Sequence, residues 1–187
     1  MPGKERVAVL IDGSNFYHYL KAREVSFPFG TGARFKYRQM IDWIVGDRLC
    51  VAKNYYVGIL RNVDQTDKSA SMVRGQQKFL AGLRNDGFKV VPGKIMYDAG
   101  RIREKGTDVA IALDLALGAV RDTFDTVVLV SSDTDLVPAL RIVRQEGKKA
   151  EYVGFAHRPS FGIQKNVDFS RLLSPSDVER FTERGLF

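Results

Sequence analysis

The sequence predicts a three-layer α/β fold, in which helices cover both faces of a central, mainly parallel sheet. Continuous apolar runs rich in β-branched residues indicate strands buried on both faces, and segments with helical periodicity alternate with them. The length of 187 residues suits one domain, and 44% hydrophobic residues are enough to bury its core. We therefore expect a single doubly wound domain over residues 1–187 and exclude a mainly disordered chain.

Five segments have the composition of buried strands. The first is an apolar run that stops at Asp12-Gly13, and the fourth stops in the same way at Ser131-Ser132-Asp133. The expected strands are residues 6–11, 51–60, 88–96, 126–130 and 149–155. Right-handed crossovers with helices on both faces predict the sheet order 3-2-1-4-5.

Five segments between these strands have apolar residues at helical spacing, and Gly147 follows the last of them as a favoured helix-stop residue. The expected helices are residues 14–23, 38–47, 68–84, 107–121 and 135–145. Residues 96–107 are too polar for the core and predict an inserted, extended basic arm. Ser174-Pro175 begins a short C-terminal helical appendage that is expected to reach Arg184.

Composition limits the chemistry that the chain can hold. One cysteine, Cys50, excludes a disulfide framework and any site built from several thiolates, and two histidines leave little for a nitrogen-ligated metal. Lys and Arg number 29 against 22 Asp and Glu, so the net charge of +7 favours a polyanionic partner, although a solvated surface explains such an excess equally well. No apolar stretch is long enough to span a bilayer, and the N-terminus has no signal-peptide core. We expect a cytoplasmic protein without a membrane partner.

Acidic residues follow two strands that are expected to be neighbours in the sheet. Asp12 comes after the first strand, and Asp133 and Asp135 come after the fourth. Parallel strands that lie side by side end at the same edge, so these carboxylates are expected to converge. Such a cluster is unfavourable without a cation, and all-oxygen ligands select Mg²⁺ or Mn²⁺. The structural alternatives are helix capping by Asp133 and turn formation by Asp12.

Three further polar residues lie at the ends of apolar segments or inside them. Asp108 is in the first turn of a helix that is apolar on nearly all sides, where it either joins the candidate site or interacts with the helix dipole. Asp114 points about 120° away from Asp108 and either supports the site or forms a buried structural pair. Asn15 lies at the start of the first helix, where free backbone N–H groups favour phosphate.

Taken together, these motifs resemble a known family. In order and spacing they are similar to the NYN domains of the LabA-like group, relatives of the PIN nucleases, and the similarity covers residues 6–155. The matching segments are Val9-Leu-Ile-Asp12-Gly-Ser-Asn15, Lys105-Gly-Thr-Asp108 with its apolar helix, and Val128-Leu-Val-Ser-Ser-Asp133-Thr-Asp135. The resemblance implies a PIN-like fold whose acidic cluster binds divalent metal and hydrolyses RNA.

The resemblance also implies roles for individual residues. The positions that match the family's catalytic and metal-binding acids are Asp12, Asp108, Asp133 and Asp135. Asn15 occupies the family's amide position, and Asp114 is expected to support the site. Ser132 stands where many members carry glycine, so its side chain is expected to narrow the site.

Basic and aromatic residues near these motifs are candidates for holding RNA. Lys105 either contacts the scissile phosphate or is an ordinary exposed lysine, and with Arg101 and Arg103 it would share one face of a strand as a phosphate track. The loop over residues 26–37 is rich in aromatic residues that either stack on unpaired bases or pack the loop onto the domain. These aromatic residues are Phe27, Phe29, Phe35 and Tyr37.

The sequence thus predicts a metal-dependent endoribonuclease acting on single-stranded RNA, with two metal ions sharing the work on the phosphodiester. The main alternative is a catalytically silent RNA- or protein-binding module that retains a metal for structure. A dehalogenase-like phosphatase would need an Asp-x-Asp motif after the first strand, where this chain has Asp12-Gly-Ser. A Toprim-like phosphotransfer domain would end that strand in glutamate. The sequence leaves open whether a second copy or another protein is a partner.

Overall fold

The computed structural model describes residues 3–21, 34–61, 65–98 and 101–183. In chain order, the strands are β1 (Arg6–Asp12), β2 (Arg34–Phe35), β3 (Leu49–Ile59), β4 (Lys89–Asp98), β5 (Arg101–Lys105), β6 (Thr126–Val130), β7 (Lys149–Phe155), β8 (Phe169–Leu173) and β9 (Thr182–Glu183). The helices are α1 (Gly13–Lys21), α2 (Tyr37–Val45), α3 (Asp67–Asn85), α4 (Thr107–Val120), α5 (Val137–Gln145), α6 (Phe161–Gln164) and α7 (Pro175–Arg180). A 3₁₀ turn, Thr134–Leu136, precedes α5.

The central sheet has seven strands in the order β5-β4-β3-β1-β6-β7-β8. All neighbouring pairs are parallel except β4 and β5, which form an antiparallel hairpin at one edge. The predicted α/β class is confirmed, but the predicted five-strand order was too short. The five expected strands keep their order in the middle of the sheet, and β5 and β8 extend it by one strand at each edge.

Both additional strands lack the apolar run that identified the others. The segment β5 is Arg-Ile-Arg-Glu-Lys, and only the last of the five residues of β8 is buried. An edge strand leaves part of its surface to water, so its sequence need not be apolar on both faces. The basic arm expected over residues 96–107 is therefore the β4–β5 hairpin, part of the sheet.

Helices cover both faces of the sheet and enclose two separate apolar cores. One face carries α1, α2, α3 and α7, whose residues Phe16, Met40, Leu80 and Val178 pack together with Val9 of β1. The other face carries α4, α5 and α6. The strands β1, β3, β6 and β7 contribute alternate side chains to the two cores, which explains their nearly unbroken apolar sequences.

Two aromatic residues of the loop expected over residues 26–37 lie in the first of these cores. Phe35 and Tyr37 are 6% and 5% exposed, and each has its ring centroid within about 5.5 Å of that of Phe16. Of the two interpretations of these residues, base stacking is excluded for Phe35 and Tyr37, because rings this deeply buried cannot reach a nucleotide. The alternative, packing onto the domain, is what the structure shows, while Phe27 and Phe29 lie outside the described residues.

The C-terminal helix is shorter than expected. Ser174 caps α7 in a reciprocal capping box with Asp177, as its Ser-Pro start predicts. The helix ends at Arg180, however, and the chain returns as β9 to pair with β2, where Arg34 lies opposite Glu183. Within the described residues, no helix is both long and apolar enough to cross a membrane.

Candidate functional site

Asp12 and Asp133 lie at the same end of the sheet, where the central parallel strands have their carboxyl ends. Asp12 is the last residue of β1, Asp133 follows β6 after two serines, and β1 pairs with β6 in parallel with Ile11 opposite Val130. The helix α4 begins at this end of the sheet too. Lys94 of β4 pairs with Ile59, the last residue of β3, on one side and with Lys105, the last residue of β5, on the other. The chain therefore leaves β5 level with the carboxyl end of β3 and enters α4 there. Asp108 in the first turn of α4 is thereby brought to the same place as the strand-end acids.

Asp12 is a buried carboxylate with two hydrogen-bond donors. It is 4% exposed, and its Oδ1 accepts the backbone N–H of Asn15 at 3.0 Å while its Oδ2 accepts the Ser131 hydroxyl at 3.0 Å. Burial raises the pKa of Asp12 to about 6, and the two hydrogen bonds oppose that rise. The charges of Asp108 and Glu104 add to the rise.

The pKa of Asp108 is also changed by its surroundings. Its pKa is raised, first by loss of hydration and then by the negative charges of Asp133, Glu104 and Asp135. Five carboxylates from β1, β5, α4 and the segment after β6 thus influence one another through space, and we call them the acid cluster. Its members are Asp12, Glu104, Asp108, Asp133 and Asp135. None of the ion pairs between described residues includes a member of the cluster.

Asp133 caps the turn that follows it. Its Oδ1 accepts the backbone N–H of Asp135 at 2.9 Å, so the capping interpretation is confirmed for this residue. Its own N–H donates to Ser131 Oγ at 3.2 Å, and the same hydroxyl donates to Asp12. Ser131 is 3% exposed and therefore joins two acids of the cluster from a fixed position. Capping and site formation do not exclude each other here, since the second oxygen of Asp133 has no part in the cap.

Asn15 and Ser132 form a second link between α1 and the segment after β6. The Asn15 Oδ1 accepts the backbone N–H of Ser132 at 3.1 Å. The Ser132 hydroxyl lies 2.8 Å from the hydroxyl of Tyr152, a fully buried residue of β7. The Ser132 side chain is thus hydrogen-bonded towards β7, and its narrowing of the site stays a prediction.

Glu104 is the member of the cluster that sequence reasoning missed. Its carboxylate accepts hydrogen bonds from the hydroxyls of Ser14, in α1, and Thr107, at the start of α4. One side chain from the edge hairpin thus connects the two helices that carry Asn15 and Asp108. The available signal was an isolated acid in a basic segment, four residues before Asp108.

Asp114 lies apart from the cluster. Its Oδ2 accepts the Tyr56 hydroxyl at 2.6 Å and the side-chain amide of Asn54 at 3.2 Å, both from β3. Tyr56 is fully buried, and both its burial and the contact with Asp114 raise the pKa of its phenol. Of the two interpretations of Asp114, the structure shows the structural pair, so its predicted support of the site is not direct.

The basic residues of the hairpin occupy positions that alternate with Glu104. Lys105 is exposed, and the positions of Arg101 and Arg103 are on the same face of β5 as Lys105 and on the opposite face from Glu104. The side chains of Arg101 and Arg103 lie outside what the structure describes. Their role as a phosphate track stays a prediction.

Gly13 is required by the close approach of β3. A Cβ at this position would overlap the ring of Tyr55 and lie 2.7 Å from the backbone oxygen of Tyr56. Asp12 and α1 are therefore held directly against β3, and the glycine of the Asp12-Gly-Ser-Asn15 motif has a steric reason as well as a turn-forming one.

The donor set of the cluster suits a hard divalent cation. All its side-chain ligands are carboxylate oxygens, and their mutual repulsion is relieved when a cation binds. Among the described residues, however, no three acidic, histidine or cysteine side chains stand close enough to hold a single ion. The chemistry of the residues fits Mg²⁺ or Mn²⁺, while their side chains, as they stand, surround no common point.

The chain has a doubly wound α/β fold, a class of fold in which ligands generally bind at the carboxyl ends of the strands, and the acid cluster lies at those ends. The chain belongs to the NYN domain family, which matches residues 6–173 and forms part of the PIN-like nuclease superfamily. No curated protein matches the sequence. A crystal structure of a protein of unknown function, VPA0982 from Vibrio parahaemolyticus RIMD 2210633, is similar, with a TM-score of 0.70 and 25% identity over 92% of this chain and 95% of that chain.

Proposed function

We propose that this protein is a metal-dependent endoribonuclease that hydrolyses RNA phosphodiester bonds at the acid cluster. The observation that carries the proposal is the convergence of acidic residues from β1, α4 and the segment after β6 at the carboxyl ends of the strands. Burial first, and the neighbouring negative charges second, raise the pKa of Asp12 and of Asp108 there. Membership of a nuclease superfamily supports the proposal. Within the NYN family, the Lys105-Gly-Thr-Asp108 and Asp133-Thr-Asp135 segments favour the LabA-like group.

Asp12, Asp108, Asp133 and Asp135 are the residues that would hold Mg²⁺ or Mn²⁺. When bound, the divalent metal supplies charge neutralisation for the phosphodiester and for the developing negative charge of the reaction. Glu104 belongs to the same cluster of negative charges. Its carboxylate is held in place by the hydrogen bonds that it accepts from the Ser14 and Thr107 hydroxyls.

The chain's own residues fix the site in place before substrate arrives. Ser131 and the Asn15 N–H hold the Asp12 carboxylate from two sides, so that it has little rotational freedom to lose on binding. The hydrogen bond between Asn15 and Ser132 keeps α1 against the segment that carries Asp133. Lys105, with Arg101 and Arg103, is proposed to bind the phosphates of single-stranded RNA, which adds affinity and positions the strand.

A cleavage assay tests the proposal. Single-stranded RNA labelled at both ends is incubated with the protein in Mn²⁺, in Mg²⁺ and in excess chelator. We expect internal cuts with either metal and none with chelator, and we expect the loss of cutting in Asp12→Asn and Asp133→Asn. The matched control is Asp42→Asn, which removes an exposed acid on α2 that lies in an i,i+4 pair with Arg38.

Four outcomes contradict the proposal. Cleavage that persists in excess chelator, or that survives Asp133→Asn, excludes the acid cluster as the catalytic site. Metal-independent RNA binding without cleavage in any metal identifies the silent RNA-binding module. Absence of RNA binding even at low salt favours a protein-binding module.

A further inference from the structure

The helix α4 has an apolar surface on the side that faces water. Four of its large residues are strongly exposed, and we call them the outer stripe. They are Val109 (62%), Leu113 (52%), Leu117 (41%) and Val120 (59%). A surface helix of a globular protein normally has charged or polar residues on this side, and a helix that is apolar all round is normally buried.

The outer stripe lies opposite the buried side of the helix. Ile111, Leu115 and Ala119 are buried against the sheet. At about 100° per residue, the outer stripe falls on the far side of the helix from these three. The one charged residue between the ends of α4 is Asp114, and its carboxylate is hydrogen-bonded to Tyr56 and Asn54 of the sheet. No charge therefore interrupts the outer stripe from Val109 to Val120.

The size of the outer stripe matches that of an interaction surface. Side chains of this kind that are roughly half exposed contribute about 300 Å² in total, which reaches the range in which surface patches on monomers are often functional. Along the helix axis the stripe runs for about 16 Å. On α5, which packs against α4, Ile142 is also 37% exposed.

We propose that the outer stripe is the contact surface for a second copy of this chain, packed with its α4 antiparallel about a twofold axis. In a twofold contact the same surface must be complementary to itself. The outer stripe meets this condition, because it has the order Val-Leu-Leu-Val from either end. In an antiparallel pair, each Leu113 lies at the level of the partner copy's Leu117, and the valines lie at the two ends.

Charge also favours the antiparallel arrangement. Asp108 lies in the first turn of α4, and Arg121 follows its last residue, so the two ends carry opposite charges. Antiparallel packing places the acidic end of each helix at the level of the basic end of the other, whereas parallel packing would place like charges together. The net charge of +7 on each copy opposes association. Contact through an uncharged surface weakens this repulsion, because it keeps the positive side chains of the two copies apart.

The buried area agrees with a dimer whose centre is the outer stripe. A stable interface buries about 800 Å² on each partner, with the most apolar residues in the middle. The stripe supplies somewhat less than half of that area, and in the proposed dimer the surfaces around it would supply the rest. The proposal does not depend on nuclease activity.

Sedimentation equilibrium of the whole chain provides the first test. We expect the wild type to have twice the mass of the 21.0 kDa chain and Leu113→Glu to be monomeric. The matched control is Leu49→Glu, which places the same charge at a leucine of β3 that is 49% exposed and should leave the dimer unchanged. Circular dichroism checks that the variants are folded. We expect both to fold, because Leu113 and Leu49 are exposed and a charged side chain at either position can reach water.

A second test addresses the antiparallel arrangement. Leu117→Lys is expected to be monomeric alone, like Leu113→Glu. An equimolar mixture of these two variants is expected to form a heterodimer, because antiparallel packing brings the introduced glutamate of one copy to the introduced lysine of the other. The heterodimer should weaken as the salt concentration rises.

Each remaining outcome overturns the proposal or part of it. A monomeric wild type, or a dimer that Leu113→Glu leaves intact, means that a second copy does not occupy the outer stripe. Dissociation by Leu49→Glu as well as by Leu113→Glu means that the effect is one of added charge and overturns the assignment. If both variants are monomeric and the mixture stays monomeric, the antiparallel arrangement is wrong.

Discussion

Single residues at the carboxyl edge of the sheet are constrained by sterics and by charge. Gly13 has no room for a side chain between α1 and β3, and Asp12 keeps a carboxylate in a place where burial disfavours its ionised form. Both constraints concern residues of the same four-residue motif. Substitutions there are expected to have effects of opposite sign.

Gly13→Ala is expected to destabilise the fold by about 1–3 kcal/mol, the usual cost of forcing a methyl group into a packed site. The control is Gly75→Ala in the exposed middle of α3, where an added Cβ meets nothing within 4 Å. That change should stabilise by about 0.5–1 kcal/mol, because alanine restricts the unfolded chain and favours helix. Urea unfolding measures both. Equal effects of the two substitutions would contradict the steric argument.

Asp12→Asn is expected to raise the free energy of unfolding in metal-free buffer by about 1–3 kcal/mol, because it removes a buried charge that neighbouring carboxylates repel. Asparagine can still accept the Asn15 N–H and can donate to the Ser131 hydroxyl. Chemical unfolding in chelator, compared with Asp42→Asn, provides the measurement. If Asp12→Asn destabilises the protein instead, the carboxylate serves as a structural acceptor and the repulsion is unimportant.

At the scale of elements, an ion pair connects the beginnings of two central strands. Arg6 of β1 donates to the Asp125 carboxylate from its guanidinium and, at 2.7 Å, from its backbone N–H, and it also contacts Asp122. These interactions lie at the amino ends of the strands, the opposite end of the sheet from the acid cluster. Here the hydrogen bonds from Arg6 lower the pKa of Asp125 to about 2.

The stabilising effect of Asp125 is expected to depend on pH in the acid range. Its pKa is lower in the folded state than the ordinary value of about 3.9, so its contribution to stability is complete above that value. The contribution is lost as the pH falls from about 4 towards 2, where the folded state must also take up the proton. Asp125→Asn should therefore lower the thermal midpoint at pH 7 and have little effect near pH 2. An effect that is constant with pH would contradict this assignment.

At the scale of the whole molecule, an excess of positive charge coexists with a concentrated negative site. The chain carries a net +7, yet five carboxylates share the carboxyl edge of the sheet without a basic partner among the ion pairs of the described residues. A polyanion would be drawn to the surface by the first feature and repelled at the site by the second. A divalent cation bound at the acid cluster, as proposed above, would remove this conflict.

Divalent metal is expected to raise the thermal midpoint, because an ion that binds the folded state shifts the unfolding equilibrium by mass action. Mn²⁺ and Mg²⁺ should each produce a rise that Asp133→Asn reduces and Asp42→Asn leaves intact. Differential scanning fluorimetry against metal concentration measures it. An equal rise in all three proteins would indicate nonspecific binding.

Binding of single-stranded RNA is expected to weaken steeply with salt, with a slope of roughly −0.7 per phosphate contact on a log–log plot. Substitution of both Arg101 and Arg103 by alanine should flatten the slope, while Asp133→Asn should leave it nearly unchanged because acids do not contact phosphate without metal. Fluorescence anisotropy at several salt concentrations gives the slopes. A slope that the double arginine variant does not change would exclude these residues as the phosphate track.

The amino-acid pattern alone is enough to predict the α/β class, the order of the five central strands and the placement of Asp12 and Asp133 at one end of the sheet. These follow from local pattern: buried strands must be apolar throughout, and parallel neighbours end on the same side. It predicted β5 only as part of an extended arm outside the sheet and missed β8, since edge strands carry no such pattern. It could not resolve Asp114 or Phe35, because their partners Tyr56 and Phe16 are distant in the chain.

Which side chains meet became known from the folded structure. It brought Glu104 to Ser14 and Thr107, across 90 residues in the first case, and it made Ser131 a common partner of two acids. It also left one side of α4 exposed to water, although the sequence of that helix is apolar on nearly all sides and predicts burial nearly all round. The physical reason is the same in each case. The pattern of apolar residues shows which sides of a segment can be buried. Its contacts depend on which other segments of the chain pack against those sides.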